Sequence, residues 1–230
     1  MKFLEFSLSS ELNDLKKFES LNQKEKSIVF YSENQNSMFI FKSLIDELIN
    51  IHNLNICYVT SSKDEQILNE SNEKIKTFCI GEGSARTKFF LNLKADILIM
   101  TMPDLETFHI KRSKIYPVHY AYFFHAMVST HLVYRKNAFD HFDSIFCVGE
   151  YQINEIKSAE KNYNLKPKNL IRCGYTHLDN LIKKNTIEYE SKKNNDKQTQ
   201  ILLAPSWGKN GLFETNIEEI IEIILNSDYK

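Results

Sequence analysis

Short β-rich segments alternate with helical segments through the first 183 residues, and this alternation restricts the fold more than any other feature. Ser27–Ser32 (SIVFYS) has the composition of a buried strand, and Ser37–His52 follows with apolar residues at helical spacing. Strands separated by helices pair in parallel, because each helix returns the chain to the same end of the sheet. We therefore predict an α/β fold with a parallel sheet and helices on both faces.

The same alternation predicts the remaining elements of this region. The predicted strands are Asn55–Thr60, Lys76–Ile80, Asp96–Thr101, Pro117–Phe124, Ser144–Gly149 and Asn169–Cys173. The predicted helices are Ser84–Leu93, a short helix after Phe124, Glu150–Asn162 and His177–Lys183. We interpret residues 1–26 as a helical lead-in and residues 27–183 as a complete Rossmann-like domain with a parallel sheet.

Composition changes at Lys184–Gln200, which is polar and has almost no large aliphatic side chains. We expect a linker or exposed loop there. A predicted strand at Ile201–Ala204 and a predicted helix over Asn216–Leu225 follow. Because one strand and one helix cannot form a domain, we expect residues 201–230 to begin a second Rossmann-like domain that this chain does not finish.

Charge and cysteine content exclude several classes of protein. The net charge is −1, so no basic excess is available for binding a polyanion, and a dedicated nucleic-acid binder is not indicated. The four cysteines lie in separate apolar runs without a C-x-x-C pair, which predicts reduced core thiols in a cytoplasmic protein. No apolar stretch reaches the length of a membrane span, and the N-terminus does not resemble a signal peptide.

Ligands of open parallel sheets bind beyond the carboxyl ends of the strands, so the residues just past the predicted strands are the candidates for a site. Gly81-Glu82-Gly83-Ser84 opens a helix, where backbone N–H groups can hold a phosphate. The motif lacks the third glycine of a dinucleotide fingerprint, and a plain turn with a helix cap is the alternative.

His125 directly follows an apolar predicted strand. A neutral imidazole at this edge can remove a proton from a hydroxyl near neutral pH. The alternative is a structural histidine that is hydrogen-bonded in the loop. His131 and His141 are close in sequence but form neither an H-x-x-x-H pair nor a pattern with carboxylates, so we predict no metal site.

Two later loops satisfy the same rule. Gly174 follows a predicted strand and permits a tight turn, and Asp179 falls in the first turn of the next helix. Asp179 either lines a site or only complements the helix dipole. Ser206 and Trp207 follow the strand predicted to open the second unit and would lie beside an interdomain cleft.

Three segments in this order resemble the CDP-glycerol glycerophosphotransferase family. They are FFHAMVSTHLVYRKNAFDHFDSIFCVGEYQINEI, CGYTHLDNLI and ILLAPSWGKNGLFE. The resemblance covers roughly Ser27–Lys230 and is densest over Tyr122–Ile182. It implies a GT-B-like architecture, in which the active site lies between two Rossmann-like halves.

The resemblance also implies roles for individual residues. His125 occupies the place of the family's histidine in a histidine-glycine-threonine motif, a proposed base for the acceptor hydroxyl, although this chain reads His-Ala-Met. Gly174 and Asp179 match a glycine-x-proline-arginine-x-aspartate loop, in which threonine and histidine here replace proline and arginine. Ser206 and Trp207 match the end of an alanine-proline-threonine-tryptophan loop. The resemblance thus implies that Gly174, Asp179, Ser206 and Trp207 bind substrate.

The implied activity is transfer of a polyol phosphate from CDP-glycerol, or a related CDP-alditol, to a hydroxyl of a lipid-linked or polysaccharide acceptor. This reaction builds teichoic-acid-like or capsular polymers and needs no cofactor. Family members continue through a second half that makes most contacts with CDP, so we expect this chain to be incomplete. We expect a cytoplasmic protein with at most peripheral contact at the inner membrane face.

Two alternatives belong to other classes. One is a GT-B sugar-nucleotide enzyme, either a glycosyltransferase or an epimerase, because a fold does not determine its chemistry. The other is a non-catalytic binding domain left by truncation.

Overall fold

The computed structural model describes residues 2–35, 37–107, 109–192, 201–205 and 208–226. Seven parallel strands form one sheet in the order β3-β2-β1-β4-β5-β6-β7. The strands are β1 (Ile28–Ser32), β2 (Ile56–Thr60), β3 (Ile75–Cys79), β4 (Ile97–Met100), β5 (His119–Phe123), β6 (Ser144–Cys147) and β7 (Asn169–Arg172). The helices are α1 (Lys2–Ser20), α2 (Met38–Asn50), α3 (Ser84–Asn92), α4 (Thr130–Val133), α5 (Glu150–Tyr163), α6 (Thr176–Lys192), α7 (Leu212–Thr215) and α8 (Ile217–Leu225).

The predicted α/β class and the parallel Rossmann-like sheet are confirmed. The first strand, β1, lies in the middle of the sheet, and the next two strands add outward on one side as far as β3. The chain then returns and places β4 on the other side of β1. From β4 it runs outward again to β7. The strand order therefore reverses between β1 and β4, which is where open α/β sheets have a crevice at their carboxyl edge.

Both faces of the sheet are buried, because alternate side chains of each strand point to opposite faces. Val29 and Tyr31 of β1 belong to the core under α1, α3 and α5, whereas Phe30 between them belongs to the core under α2. Tyr31 packs edge-on against Phe90 of α3, with ring centroids 4.9 Å apart. Phe30 packs in the same manner against Phe41 of α2, at 5.2 Å.

The N-terminal lead-in is part of the core. Leu15 and Phe18 of α1 are buried against the sheet. The Phe18 ring lies 5.5 Å from Phe78 of β3 and 5.2 Å from Phe89 of α3. α1 therefore covers the β3 side of the sheet and joins it to α3.

The chain divides into two compact units, Met1–Asn180 and Leu181–Lys230. α6 continues to Lys192, so the first part of the predicted linker is helical. The predicted strand at Ile201–Ala204 is wrong, because residues 201–205 have no regular secondary structure. A strand needs a partner for its backbone groups, and the only regular elements among the described residues of the second unit are helices. A second Rossmann-like domain beginning there stays a prediction.

Candidate functional site

His125 lies at the carboxyl edge of the sheet, just after the end of β5. Phe124 beside it is buried in the core, while the His125 side chain is exposed at the edge. The surrounding chain still removes part of the water around the imidazole, and this desolvation lowers the pKa of His125 below its ordinary value of 6.5. The ring is therefore predominantly neutral at pH 7 and can accept a proton.

The backbone of His125 is held by a residue from the other end of the domain. The Tyr175 hydroxyl donates a hydrogen bond to the His125 carbonyl oxygen at 2.9 Å. Gly174, which precedes Tyr175, has a φ of +73°, in the left-handed region that favours glycine. Gly174 thus provides the turn between β7 and α6 that brings Tyr175 to His125.

Aromatic side chains extend this site along the edge. The His177 ring, in the first turn of α6, lies 5.9 Å from Tyr175. Phe39, in the first turn of α2, lies 4.7 Å from His177 between ring centroids. A row of four residues, Phe39, His177, Tyr175 and His125, therefore joins the starts of two helices to the end of β5. We call this row the aromatic row.

Among the described residues, no hydrogen bond or ion pair joins Asp179, another residue predicted to bind substrate, to His125. Asp179 is exposed in the first turn of α6, and its backbone N–H donates to the Tyr175 carbonyl at 3.4 Å. A carboxylate is favourable at this end of a helix, so the helix dipole alone explains its position. Ser206 and Trp207 lie outside the described residues.

Two polar side chains of α5 hold the loop that follows His125. The Gln152 amide donates to the Val128 carbonyl at 3.0 Å, and its oxygen accepts from the Val148 N–H at 2.9 Å. One turn later, Glu155 accepts hydrogen bonds from the Ser129 hydroxyl and from both the N–H and the hydroxyl of Thr130. Buried polar groups of this kind fix a loop because leaving them unpaired is costly.

His131, the histidine nearest to His125 in sequence, lies beside the hydrogen bonds between Glu155 and this loop. Its Nδ1 lies 3.0 Å from the Ser129 hydroxyl and 3.5 Å from Glu155 Oε1. The predicted short helix after Phe124 is confirmed at α4, which includes His131.

The β1 side of the edge differs, because the protein's own carboxylate occupies the start of α2. Glu65 follows β2 and is only 1% exposed. Its Oε1 accepts hydrogen bonds from the Met38 N–H at 3.0 Å and from the Tyr58 hydroxyl at 2.9 Å. Dinucleotide-binding Rossmann folds place the pyrophosphate at this helix start. The Glu65 side chain therefore already fills this helix start and accepts the N–H that a phosphate would use.

The Gly81-Glu82-Gly83-Ser84 motif forms a turn that is filled from within the protein. Gly81 has a φ of +60°, and a Cβ at this position would collide with the Glu11 carboxylate. The Gly81 carbonyl accepts a hydrogen bond from the Ser61 hydroxyl at 2.6 Å, and this hydroxyl also lies 2.8 Å from the Tyr31 hydroxyl. The close approach of Glu11 explains the glycine, which favours the turn interpretation over a phosphate contact.

The same edge carries residues that the sequence interpretation passed over. Tyr175 lies in the turn before α6 and His177 in the first turn of α6, both just past the strand end that the carboxyl-edge rule identifies, so this rule would have included them. Phe39 and Glu65 are far from that loop in sequence, and only the folded chain brings them to the edge. Within the described residues, no group of three His, Cys, Asp or Glu side chains could hold a metal ion.

Comparisons with protein-family models, with curated proteins and with solved structures found no match to this chain. The fold and the site define a Rossmann-like α/β protein with a histidine at the carboxyl edge of its sheet. In the described part of the chain, no helix is both long and apolar enough to cross a membrane.

Proposed function

We propose that this chain is the acceptor-side part of a glycerophosphotransferase that uses CDP-glycerol or a related CDP-alditol. The observation that carries the proposal is the position of His125. A largely neutral imidazole lies at the edge where parallel sheets bind ligands, and its backbone is held by Tyr175. The three sequence segments that resemble the CDP-glycerol glycerophosphotransferase family supply the substrate class.

In the proposed reaction, an acceptor hydroxyl attacks the β-phosphorus of CDP-glycerol. A new bond forms between the acceptor oxygen and this phosphorus, the bond to the bridging oxygen breaks, and CMP leaves with the bonding electrons. His125 takes the proton of the attacking hydroxyl, which requires the neutral imidazole. Gly174 and Asp179 contribute to the acceptor side of the proposed site, and the resemblance assigns substrate binding to Ser206 and Trp207 as well.

The alternative enzyme classes have less support. A GT-B epimerase acts on a sugar nucleotide, whereas the three sequence segments resemble a family that uses CDP-glycerol. A glycosyltransferase of the same architecture differs from our proposal only in its donor. The donor panel described below separates these two enzymes, and absence of turnover with every donor identifies a non-catalytic domain.

The test is turnover by the protein expressed from its complete reading frame. CMP release is measured with CDP-glycerol and an oligo(glycerol phosphate) acceptor, and UDP-sugars are assayed in parallel. General-base catalysis supplies about 10²–10⁴-fold in rate, so His125→Ala should reduce kcat by that factor while donor affinity stays nearly unchanged. Turnover of UDP-sugars without response to CDP-alditols would refute the proposal.

His131→Ala is the matched control, because this residue lies in α4 beside Glu155 and has no proton to transfer in the proposal. Circular dichroism melting separates a catalytic loss from a structural one: a structural histidine lowers Tm, and activity falls only with the unfolded fraction. If His131→Ala abolishes turnover in a folded protein and His125→Ala does not, the base is assigned incorrectly.

The pH dependence gives a second test of the same assignment. Because desolvation lowers the pKa of His125, the imidazole stays neutral down to a pH below 6.5. The value of kcat/KM should therefore decline only as the pH falls through that lowered pKa. A decline that begins well above pH 6.5 would contradict His125 as the base.

We further propose peripheral contact with the inner face of the cell membrane, because the acceptors of the resembled family are lipid-linked. Sedimentation with anionic vesicles tests this contact. Co-sedimentation that high salt and carbonate reverse supports it, and resistance to this extraction counts against it.

A further inference from the structure

A separate pocket lies between α5 and the connection from β5 to β6. Its volume is about 170 Å³, and neither His125 nor Tyr175 lines it. One water needs about 10–15 Å³ by the same measure, so the pocket can hold a small organic molecule. Its occupant would be separate from the acceptor of the proposed transferase reaction.

The wall of this pocket is largely apolar. It is formed by the side chains of Phe139, Ile156, Ala159 and Leu165, together with the Tyr134 ring. Phe139 and Ile156 are buried members of the core, so this wall is fixed by packing. A pocket of apolar walls with a few polar groups is the usual form of a small-molecule site.

Lys168 supplies a buried cation to the pocket. Its side chain is only 2% exposed, and its ammonium lies 3.6 Å from Glu160 Oε1 and 3.5 Å from the Lys166 carbonyl oxygen. Both distances exceed the 2.7–3.2 Å of ordinary N–H···O hydrogen bonds. Because an ammonium carries three N–H donors, Lys168 retains capacity for a closer acceptor.

Lys136 supplies a further cation to the lining. Its ammonium lies 3.9 Å from the centroid of the Tyr163 ring, which is half exposed. Within the described residues, Lys136 has no carboxylate partner within 4 Å. The lining also includes Arg135, which pairs with Asp104, and three carboxylates, Asp140, Glu155 and Glu160. Glu155 accepts hydrogen bonds from Ser129 and Thr130, and Glu160 accepts one from the Lys168 N–H. Beside its apolar wall the pocket therefore offers one buried, loosely bonded ammonium and, among the described residues, one ammonium without a carboxylate partner.

We propose that this pocket binds a small organic acid, with its carboxylate at Lys168 and its apolar body against Phe139 and Ile156. The proposal goes beyond the transferase activity and does not rest on it. A carboxylate would give the Lys168 ammonium the close acceptor that Glu160 does not, since Glu160 Oε1 also accepts the backbone N–H of Lys168 at 2.9 Å.

The test uses benzoate as the probe and the 230-residue chain labelled with ¹⁵N. Benzoate should shift amide resonances of residues 155–168 and saturate with a dissociation constant on the order of 1 mM. Benzyl alcohol, which has the same ring without the charge, should bind at least about tenfold more weakly. Inorganic phosphate, which has the charge without the ring, should not saturate in this range.

Lys168→Met should weaken benzoate binding about 10- to 100-fold, because it removes the charge-assisted contact and keeps most of the side-chain volume. Lys166→Met is the matched control, since this neighbouring side chain does not line the pocket, and it should leave the affinity unchanged. If Lys168→Met does not fold, the double variant Lys168→Met with Glu160→Gln removes both charges of the pair and should give the same loss.

Three results would overturn the proposal. The first is the absence of saturable shifts up to about 20 mM benzoate, some twentyfold above the expected constant. The second is unchanged affinity in the folded Lys168 variants. The third is equal binding of inorganic phosphate or benzyl alcohol, since either one shows that the charge and the apolar wall do not act together.

Discussion

Glu155→Gln tests whether one carboxylate of α5 holds the loop behind His125. The carboxylate accepts hydrogen bonds from the Ser129 hydroxyl at 3.0 Å and from the Thr130 N–H and hydroxyl at 2.5 and 2.6 Å. A glutamine keeps one oxygen for the two Thr130 donors and turns its NH₂ group toward Ser129, whose hydroxyl can rotate to accept it. The variant therefore retains the shape of the site and removes only the charge.

The size of the effect follows from these contacts. A hydrogen bond to a charged acceptor contributes about 1.5–3 kcal/mol and a bond to a neutral acceptor about 0.5–1.5 kcal/mol. Each of the two bonds from Thr130 therefore loses about 1 kcal/mol when the acceptor becomes neutral. The Glu155 side chain is 20% exposed, so water compensates part of this loss. We expect the free energy of unfolding to fall by about 1–2 kcal/mol at pH 7.

The assay is urea unfolding of the 230-residue chain followed by far-UV circular dichroism, in a double-mutant cycle with Thr130→Val. Valine removes the hydroxyl donor but keeps the N–H, so the cycle isolates one of the three bonds. We expect a coupling energy of about 1 kcal/mol. Effects of the two variants that add within about 0.3 kcal/mol would refute the anchoring role.

The same variant has a defined pH dependence. Burial alone would raise the pKa of Glu155, but the hydrogen bonds from Thr130 and Ser129 and the nearby His131 lower it below its ordinary value of 4.5. Folding therefore favours the carboxylate, and its contribution is fully present above pH 4.5 and lost as the pH falls through the lowered pKa. The stability difference between the wild type and Glu155→Gln should shrink in that acidic window, and a constant difference would contradict this account.

Two further predictions concern glycine geometry and thiol burial. Gly81→Ala should lower the free energy of unfolding by about 2 kcal/mol or more, because it combines a left-handed backbone with a collision against Glu11. Gly174→Ala has the same backbone strain but meets no neighbour, so it should lower this free energy by only about 1 kcal/mol. Equal losses of the two variants in urea unfolding would contradict the role of Glu11. Burial raises the pKa of Cys147 to about 12 and that of Cys173 to about 11. Both thiols should therefore react slowly with a disulfide reagent at pH 8 in the folded protein and quickly in urea. Rapid labelling of the folded protein would contradict their burial.

The sheet was predictable because each strand is a short run of apolar and β-branched or aromatic residues between polar turns. The same reasoning failed at Ile201–Ala204, where an equally apolar run has no strand beside it in the described part of its unit. It also placed a linker where α6 continues to Lys192. That segment is polar, but lysine and glutamate are good helix formers, so a polar composition did not exclude a helix.

The sequence predicted those residues of the site that come just after a strand, but not the contacts between them. The carboxyl-edge rule identified His125 and Gly174 because each directly follows a predicted strand. The hydrogen bond from Tyr175 to the His125 carbonyl joins residues that are 50 positions apart. Pairing over such a distance depends on which strands become neighbours and on the left-handed turn at Gly174, and neither can be obtained from local spacing.

The two parts of the carboxyl edge differ in how their polar groups are used, and this difference bears on where a substrate can bind. On the β1 side, side chains of the protein occupy the edge: Glu65 Oε1 accepts the Met38 N–H at the start of α2, and the Ser61 hydroxyl donates to the Gly81 carbonyl. On the β5 side, Tyr175 binds the backbone of His125, and Gln152 and Glu155 hold the loop that follows it. The His125 imidazole remains exposed. A base must present its ring to an incoming hydroxyl while its backbone stays fixed. That requirement is met at β5, which is why we place the acceptor there.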